Sequence, residues 1–119
     1  MAEKRVILTD RQTGNKFDLS KLISPPLTKV SIGRYAANPI SMDHDRISRA
    51  HAIVSVENQK GKNVYFIQDA YSRNGTHFIA PKGNPNSTEL FPPHKQELAH
   101  GQRIWLGSYG PIEVTQKRI

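Results

Sequence analysis

The chain has 119 residues, no cysteine, an apolar share of 36% and a formal charge of +7. That length suits a single domain over residues 1–119 with one modest core. The lack of cysteine excludes disulfide scaffolds, thiolate zinc sites and cysteine nucleophiles, and no apolar run approaches the roughly 20 residues that cross a bilayer as a helix.

The N-terminus, Met1-Ala2-Glu3-Lys4-Arg5, passes directly into Val6-Ile7-Leu8. That apolar run is too short for a signal-peptide core, so an intracellular protein without a membrane partner is expected. The positive charge favours an anionic partner but does not choose among nucleic acid, acidic lipid and phosphorylated protein. Lysines are spread from Lys4 to Lys117 without a dense block, so the positions of the arginines say more than the total.

In chain order, Arg5-Val6-Ile7-Leu8-Thr9 predicts a first strand, and Gly14 marks the turn after it. Lys16-Phe17-Asp18-Leu19 alternates polar and apolar as a half-buried strand does. Ser24-Pro25-Pro26 breaks the pattern, because neither proline can donate to a ladder. Lys29-Val30-Ser31-Ile32-Gly33 is the next strand and delivers Arg34 at its end. Tyr35 to Asp45 reads as a loop with a short bridge at Ile40-Ser41-Met42. Strands follow at Ala52 to Val56 and Asn63 to Gln68, with Glu57 to Lys62 between them and Gly61 as the turn residue.

Asp69 to Gly75 is a second loop, and Thr76-His77-Phe78-Ile79 a short strand. Ala80 to Lys95 holds four of the eight prolines, together with Gly83 and Asn84, and reads as one long surface loop. Arg103-Ile104-Trp105-Leu106 and Pro111-Ile112-Glu113-Val114-Thr115 are the closing strands, with Trp105 either core or half-exposed. No stretch holds a helical period. Many short strands punctuated by Gly and Pro predict an all-β fold, a two-sheet antiparallel β-sandwich.

The residues that suggest function stand at the ends of these strands. Gly33-Arg34 precedes Arg46-Ile47-Ser48-Arg49-Ala50-His51, and Arg73-Asn74-Gly75-Thr76 follows the central pair of strands. Loops held by a rigid sheet are a common home for binding residues. Arginine offers a planar fork of donors to an anion, serine adds a hydroxyl, and an amide can pair with both a peptide C=O and an N–H. A phosphate monoester presents roughly −1.5 to −2 charges and three acceptor oxygens to such a set.

Ser48 and His51, with Asp69 or Asp45, also invite a hydrolase reading. Residues three apart at a strand start mostly face opposite ways, and no Gly-x-Ser-x-Gly elbow is present, so no catalytic residue is assigned. His51 reads as a satisfied, partly buried histidine. Asp43-His44-Asp45 lacks the spacing of a metal site, and neither metal nor cofactor is expected.

Gly33-Arg34, Ser48-Arg49-Ala50-His51, Asp69 to Ser72 leading into Asn74-Gly75-Thr76, and Leu98-Ala99-His100-Gly101-Gln102-Arg103-Ile104-Trp105-Leu106-Gly107 together resemble a forkhead-associated (FHA) domain. The resemblance spans roughly residues 29–114. It implies a module that binds phosphothreonine in an extended peptide through loops at one end of the sandwich. By the resemblance, Arg34 and Ser48 would contact the phosphate, Arg49 would add a contact, and Asn74 would bond the peptide main chain. Gly33, His51, Gly75 and Thr76 would be architectural, with His51 bracing the loop of Ser48.

Arg46 and Arg73 would lie in the peptide-facing loops and favour acidic residues near the phosphothreonine. Three departures stand out: Ala80-Pro81-Lys82-Gly83 where a second Asn-Gly is frequent, Gln102 where an acid is frequent, and Arg73 where a smaller residue is common. The partner expected is thus a phosphothreonine-containing protein or peptide. A basic β-domain that binds nucleic acid, and an interaction module of this fold that ignores phosphate, are the alternatives.

Overall fold

The computed structural model describes residues 4–81 and 86–118. Residues 82–85, within the expected loop after Ile79, and the first three residues lie outside that description. Eleven strands form two facing sheets: β1 (Lys4–Asp10), β2 (Lys16–Asp18), β3 (Lys29–Gly33), β4 (Ile40–Ser41), β5 (Ala52–Gln59), β6 (Lys62–Asp69), β7 (Thr76–Ile79), β8 (Thr88–Leu90), β9 (Lys95–Glu97), β10 (Arg103–Leu106) and β11 (Tyr109–Arg118). One sheet runs in the order β2-β1-β11-β10-β7-β8 and the other β4-β3-β5-β6-β9. All pairings are antiparallel except the short parallel bridge between β3 and β4.

The period-two pattern decides which side chains meet between the sheets. Val6, Leu8, Ile104, Leu106, Ile112 and Val114 are buried from one sheet, and Val30, Ile32, Ala52, Val54, Tyr65 and Ile67 from the other. Trp105 falls between two core residues and so takes the outer face, half-buried, with the Arg103 guanidinium 5.9 Å from its ring centroid. The β-sandwich expected from the sequence is therefore the fold.

Three local readings change. Leu19 does not continue β2; it opens a one-turn helix, Leu19–Leu22, because the Asp18 carboxylate accepts the Ser20 N–H at 3.1 Å and caps it. The β5–β6 hairpin is tighter than the apolar runs suggest. Lys60 and Gly61 both take positive φ, 53° and 80°, as a two-residue hairpin turn requires. Polar Glu57, Asn58 and Gln59 then simply extend the ladder. The stretch from Ala80 to Lys95 is not one loop, since Thr88–Leu90 pairs with β7 and Lys95 begins β9 on β6.

Register brings the important loops together. Ile32 pairs with Ala52 and Ala52 with Asp69, so the chain leaves β3, enters β5 and leaves β6 at one end of its sheet. In the other sheet Thr76 lies opposite both Leu106 and Leu90, so β7 begins where β10 and β8 end. The β3–β4, β4–β5, β6–β7, β8–β9 and β10–β11 connections therefore crowd one end of the sandwich. Gln102, before β10, lies at the other.

Candidate functional site

His51 ties the loops to one another. It is fully buried, deeper than the sequence suggests, and its backbone N–H and C=O bond Ile32 and Ala70. Its Nδ1 accepts the Ser48 backbone N–H at 3.0 Å, and its Nε2 lies 2.8 Å from the Gly75 carbonyl. An acceptor at Nδ1 leaves the proton on Nε2, so the ring is the neutral tautomer that donates to Gly75. Burial pushes its pKa below the ordinary value, against the opposite pull of the Gly75 carbonyl and the Asp69 charge. Both ring nitrogens face backbone groups and neither addresses the Ser48 hydroxyl, which leaves His51 no base to play.

Close approach demands a glycine at the end of β3. A Cβ on Gly33 would lie 2.1 Å from the Arg49 carbonyl oxygen and 2.7 Å from Asn38 Nδ2. Behind it, Asn38 is buried and donates to the Tyr35 and Arg49 carbonyls at 2.8 and 2.7 Å, while accepting the Ser31 hydroxyl at 2.7 Å. Asn38 thus fastens the Arg49 turn to β3. Asn38 does not appear among the motifs; its only signal is that it precedes a proline, a common turn start.

Asp69 performs the same service for the β6–β7 loop. Its buried carboxylate accepts the Ser72 N–H at 3.0 Å, the Ser72 hydroxyl at 2.5 Å and the Thr76 hydroxyl at 2.8 Å. Ser72 Oγ in turn accepts the Gly75 N–H at 2.9 Å. Gly75 has φ +83°, which lets the chain turn there at no steric cost. Its carbonyl takes the Gly107 N–H at 2.7 Å as well as the His51 ring, so the β10–β11 turn joins the same network. An Asp with a hydroxyl three residues later is a readable turn signal, and it lies within the Asp69 to Ser72 stretch of the resemblance.

On this frame the candidate side chains surround a depression of about 450 Å³, lined by Arg34, Asp45, Arg46, Ile47, Ser48, Arg49, Ala50, Tyr71, Arg73 and Asn74. All six binding residues expected from the sequence are therefore brought together. The Arg34 backbone N–H bonds the Ser48 carbonyl at 3.0 Å, and its Nε donates to the Ile47 carbonyl at 3.1 Å. That anchors the guanidinium by one edge and leaves its terminal nitrogens for another acceptor. The Tyr35 ring lies 5.8 Å from the Arg34 guanidinium carbon and 5.2 Å from that of Arg49.

Ser48 Oγ accepts the Arg73 N–H at 2.9 Å, which leaves its hydroxyl proton to donate outward. Asn74 Nδ2 donates to the Arg46 carbonyl at 3.0 Å, fixing the amide plane. Among the described residues the ion pairs are Arg5–Asp18 and Lys95–Glu57, so none of the four arginines here is held by a carboxylate. An exposed, unneutralised guanidinium cluster beside a hydroxyl is chemistry for an anion. No cluster of three or more metal-ligating side chains occurs among the described residues, and Asp43, His44 and Asp45 are exposed loop.

The model of the FHA domain family matches residues 30–107. The chain belongs to the FHA domain family. FHA domains are interaction modules, and the matched span carries every loop of the depression.

Solved structures agree on the fold. An FHA domain of an Arabidopsis thaliana protein superposes with TM-score 0.65 at 27% identity, over 97% of this chain and 86% of that one. Mycobacterium tuberculosis EmbR in complex with a low-affinity phosphopeptide gives TM-score 0.63 at 22% identity over 93% of this chain. This FHA chain spans only 24% of EmbR's length. An FHA structure from work on phosphothreonine-dependent interactions gives TM-score 0.63 at 23% identity, over 95% of each chain. No curated protein sequence matches the chain.

Proposed function

We propose that residues 1–119 act as one phosphothreonine-dependent binding module that recruits a phosphorylated protein in intracellular signalling or regulation. The observation that carries this reading is the set of four arginines without carboxylate partners around the Ser48 hydroxyl, on the loops of an FHA domain. Arg34 and Ser48 hold the phosphate, and Arg49 adds a donor. Asn74 keeps its carbonyl oxygen and one N–H for the peptide main chain, since its other N–H is spent on Arg46. Arg46 and Arg73 extend the positive field to acidic residues beside the phosphothreonine.

The reading gains support from relatives of the same fold, one carrying a phosphopeptide and one studied for phosphothreonine-dependent interactions. No helix among the described residues is long and apolar enough to cross a membrane. A phosphothreonine peptide library tests the proposal. Phosphothreonine should be selected, with Asp and Glu enriched nearby, mainly on the C-terminal side within reach of Arg46. Exposed pairs contribute about 0–1 kcal/mol each, so that enrichment is graded and weakens with salt. Selection indifferent to phosphorylation, or steeply salt-dependent binding to nucleic acid instead, overturns the proposal.

A further inference from the structure

The β6–β7 loop separates the arginine-lined depression from a second one, of about 360 Å³, whose far wall no sequence motif marks. Tyr71, Arg73 and Asn74 line both, so a chain that crosses this loop leaves one depression and enters the other. The far wall of the second comes from Leu90, Phe91 and Pro92, where β8 runs into the β8–β9 connection. That wall is apolar, whereas Ser72, Arg73, Asn74 and Glu89 make the rest of the lining polar. Of its two carboxylates, Asp69 is buried and bonded to Ser72 and Thr76, and Glu89 stands at the edge with one guanidinium, Arg73, so the groove has no strong charge preference of its own.

The placement of exposed apolar side chains on this protein is uneven. Among the described residues, four large hydrophobics are well exposed: Leu27, Tyr35, Tyr71 and Phe91. Three adjoin these depressions, with Tyr71 85% and Phe91 60% exposed. Clustered exposed aromatics mark surfaces that partners cover. Tyr71 also has φ 58°, a left-handed conformation uncommon for an aromatic residue. The Asp69–Ser72 bonds on either side of it hold that turn in place. The loop thus keeps an aromatic ring in solvent on the rim shared by both depressions. Conformations of this kind persist where surrounding structure over-determines them, and they gather at ligand clamps.

We infer that the second depression binds the flank of the same phosphopeptide, taking a large aliphatic side chain N-terminal to the phosphothreonine. This rests on the phosphopeptide reading above. Continuity supports a single ligand: once the phosphate is held, a tethered side chain reaches the groove at high effective concentration. The direction rests on the reading above, in which Arg46, lining the first depression alone, takes the acidic C-terminal flank. The N-terminal flank then crosses the Tyr71–Asn74 loop towards Phe91. The module would read a bipartite signal, apolar before the phosphothreonine and acidic after it.

Calorimetry on wild type, Phe91→Ser and Tyr71→Gly tests this. Phe91 is exposed, and glycine tolerates the backbone of Tyr71, so both variants should fold. Three phosphothreonine peptides are compared: one with no N-terminal flank, one extended by four residues that include leucines, and one with serines in place of the leucines. Wild type should bind the leucine peptide about fivefold to twentyfold more tightly than the serine peptide. Each variant should lose that gain, and Phe91→Ser, which lies outside the first depression, should still bind the short peptide as wild type does. Equal affinity for leucine and serine peptides in wild type, or a gain that survives both substitutions, overturns the inference. So does a Phe91-dependent gain from leucines placed C-terminally, or Phe91-dependent self-association seen by sedimentation. An unphosphorylated short peptide that binds as well as its phosphorylated form defeats the phosphopeptide reading itself, and this inference with it.

Discussion

The Ser48 backbone N–H points at Nδ1 of His51, 3.0 Å away, and the same ring donates through Nε2 to Gly75. One neutral imidazole therefore joins the β4–β5 loop to the β6–β7 loop beneath the arginine-lined depression. Protonating it would turn the Nδ1 acceptor into a donor facing another donor, in a buried site. Burial accordingly lowers its folded-state pKa below that of the unfolded chain.

The sign of the pH dependence follows. Between the folded pKa and the ordinary value near 6.5, the unfolded state binds the proton that the folded state excludes. Stability contributed by His51 is then complete above that ordinary value and declines as pH falls, at up to about 1.4 kcal/mol per pH unit for one linked proton. Thermal melts of wild type and His51→Asn between neutral pH and pH 5 check this. Wild type should lose stability more steeply than the variant; parallel curves would show that His51 is not the linked group.

Substitution separates binding from architecture. Arg34→Ala and Ser48→Ala should leave the domain folded and weaken phosphopeptide binding by about tenfold to hundredfold, the worth of one charge-assisted hydrogen bond. His51→Ala should lose melting temperature and affinity together, since it leaves the Ser48 N–H and the Gly75 carbonyl without their partner. Isotherms for Arg34→Ala that overlay wild type would remove Arg34 from the site.

Gly33 gives a steric test with no charge involved. An alanine methyl cannot coexist with the Arg49 carbonyl oxygen at 2.1 Å. Either β3 or the Ser48–Arg49 turn must move, straining the Arg34–Ser48 and Asn38–Arg49 hydrogen bonds. Overpacking of this kind costs about 1–3 kcal/mol. The urea midpoint of Gly33→Ala should drop and its phosphopeptide affinity fall with it. A variant that unfolds and binds as wild type does would mean the turn is looser than its packing suggests.

Much of this was legible beforehand, because it depends on local patterns. Alternation in Val6-Ile7-Leu8 or Ile104-Trp105-Leu106 assigns each side chain to a face, and glycines flag the turns. The six candidate residues that line one depression stood out because arginine, serine and asparagine at strand ends have few reasons to cluster other than an anion.

Positions whose role arises only from register were not legible. Asn38 looks like an ordinary polar loop residue until the sheets bring the Arg49 turn against it. The strand Thr88–Leu90 is hidden by the prolines and exposed residues around it, and becomes a strand only through its neighbour β7. Phe91 and Tyr71 reach the same groove from connections about 20 residues apart, and no spacing rule announces that.

Phosphothreonine and phosphoserine share one phosphate and differ by a methyl group. On the proposed reading the donors of Arg34, Ser48 and Asn74 reach the phosphate and the main chain, so by themselves they cannot distinguish the two. Discrimination needs apolar atoms at the β-carbon, and the depression supplies candidates in Ala50, Ile47 and the Cβ of Asn74 beside Ser48. Burying one methyl contributes about 0.8 kcal/mol, roughly fourfold, from transfer alone. A fixed pocket left partly empty by phosphoserine adds a cavity cost, and the methyl also restricts χ1 before binding. Phosphothreonine should therefore be preferred by at least about tenfold. Calorimetry on one peptide carrying threonine, phosphothreonine or phosphoserine at the same position decides the matter. Equal affinity for both phosphorylated forms would refute the methyl pocket while leaving the arginine site standing. Equal affinity for all three would refute both.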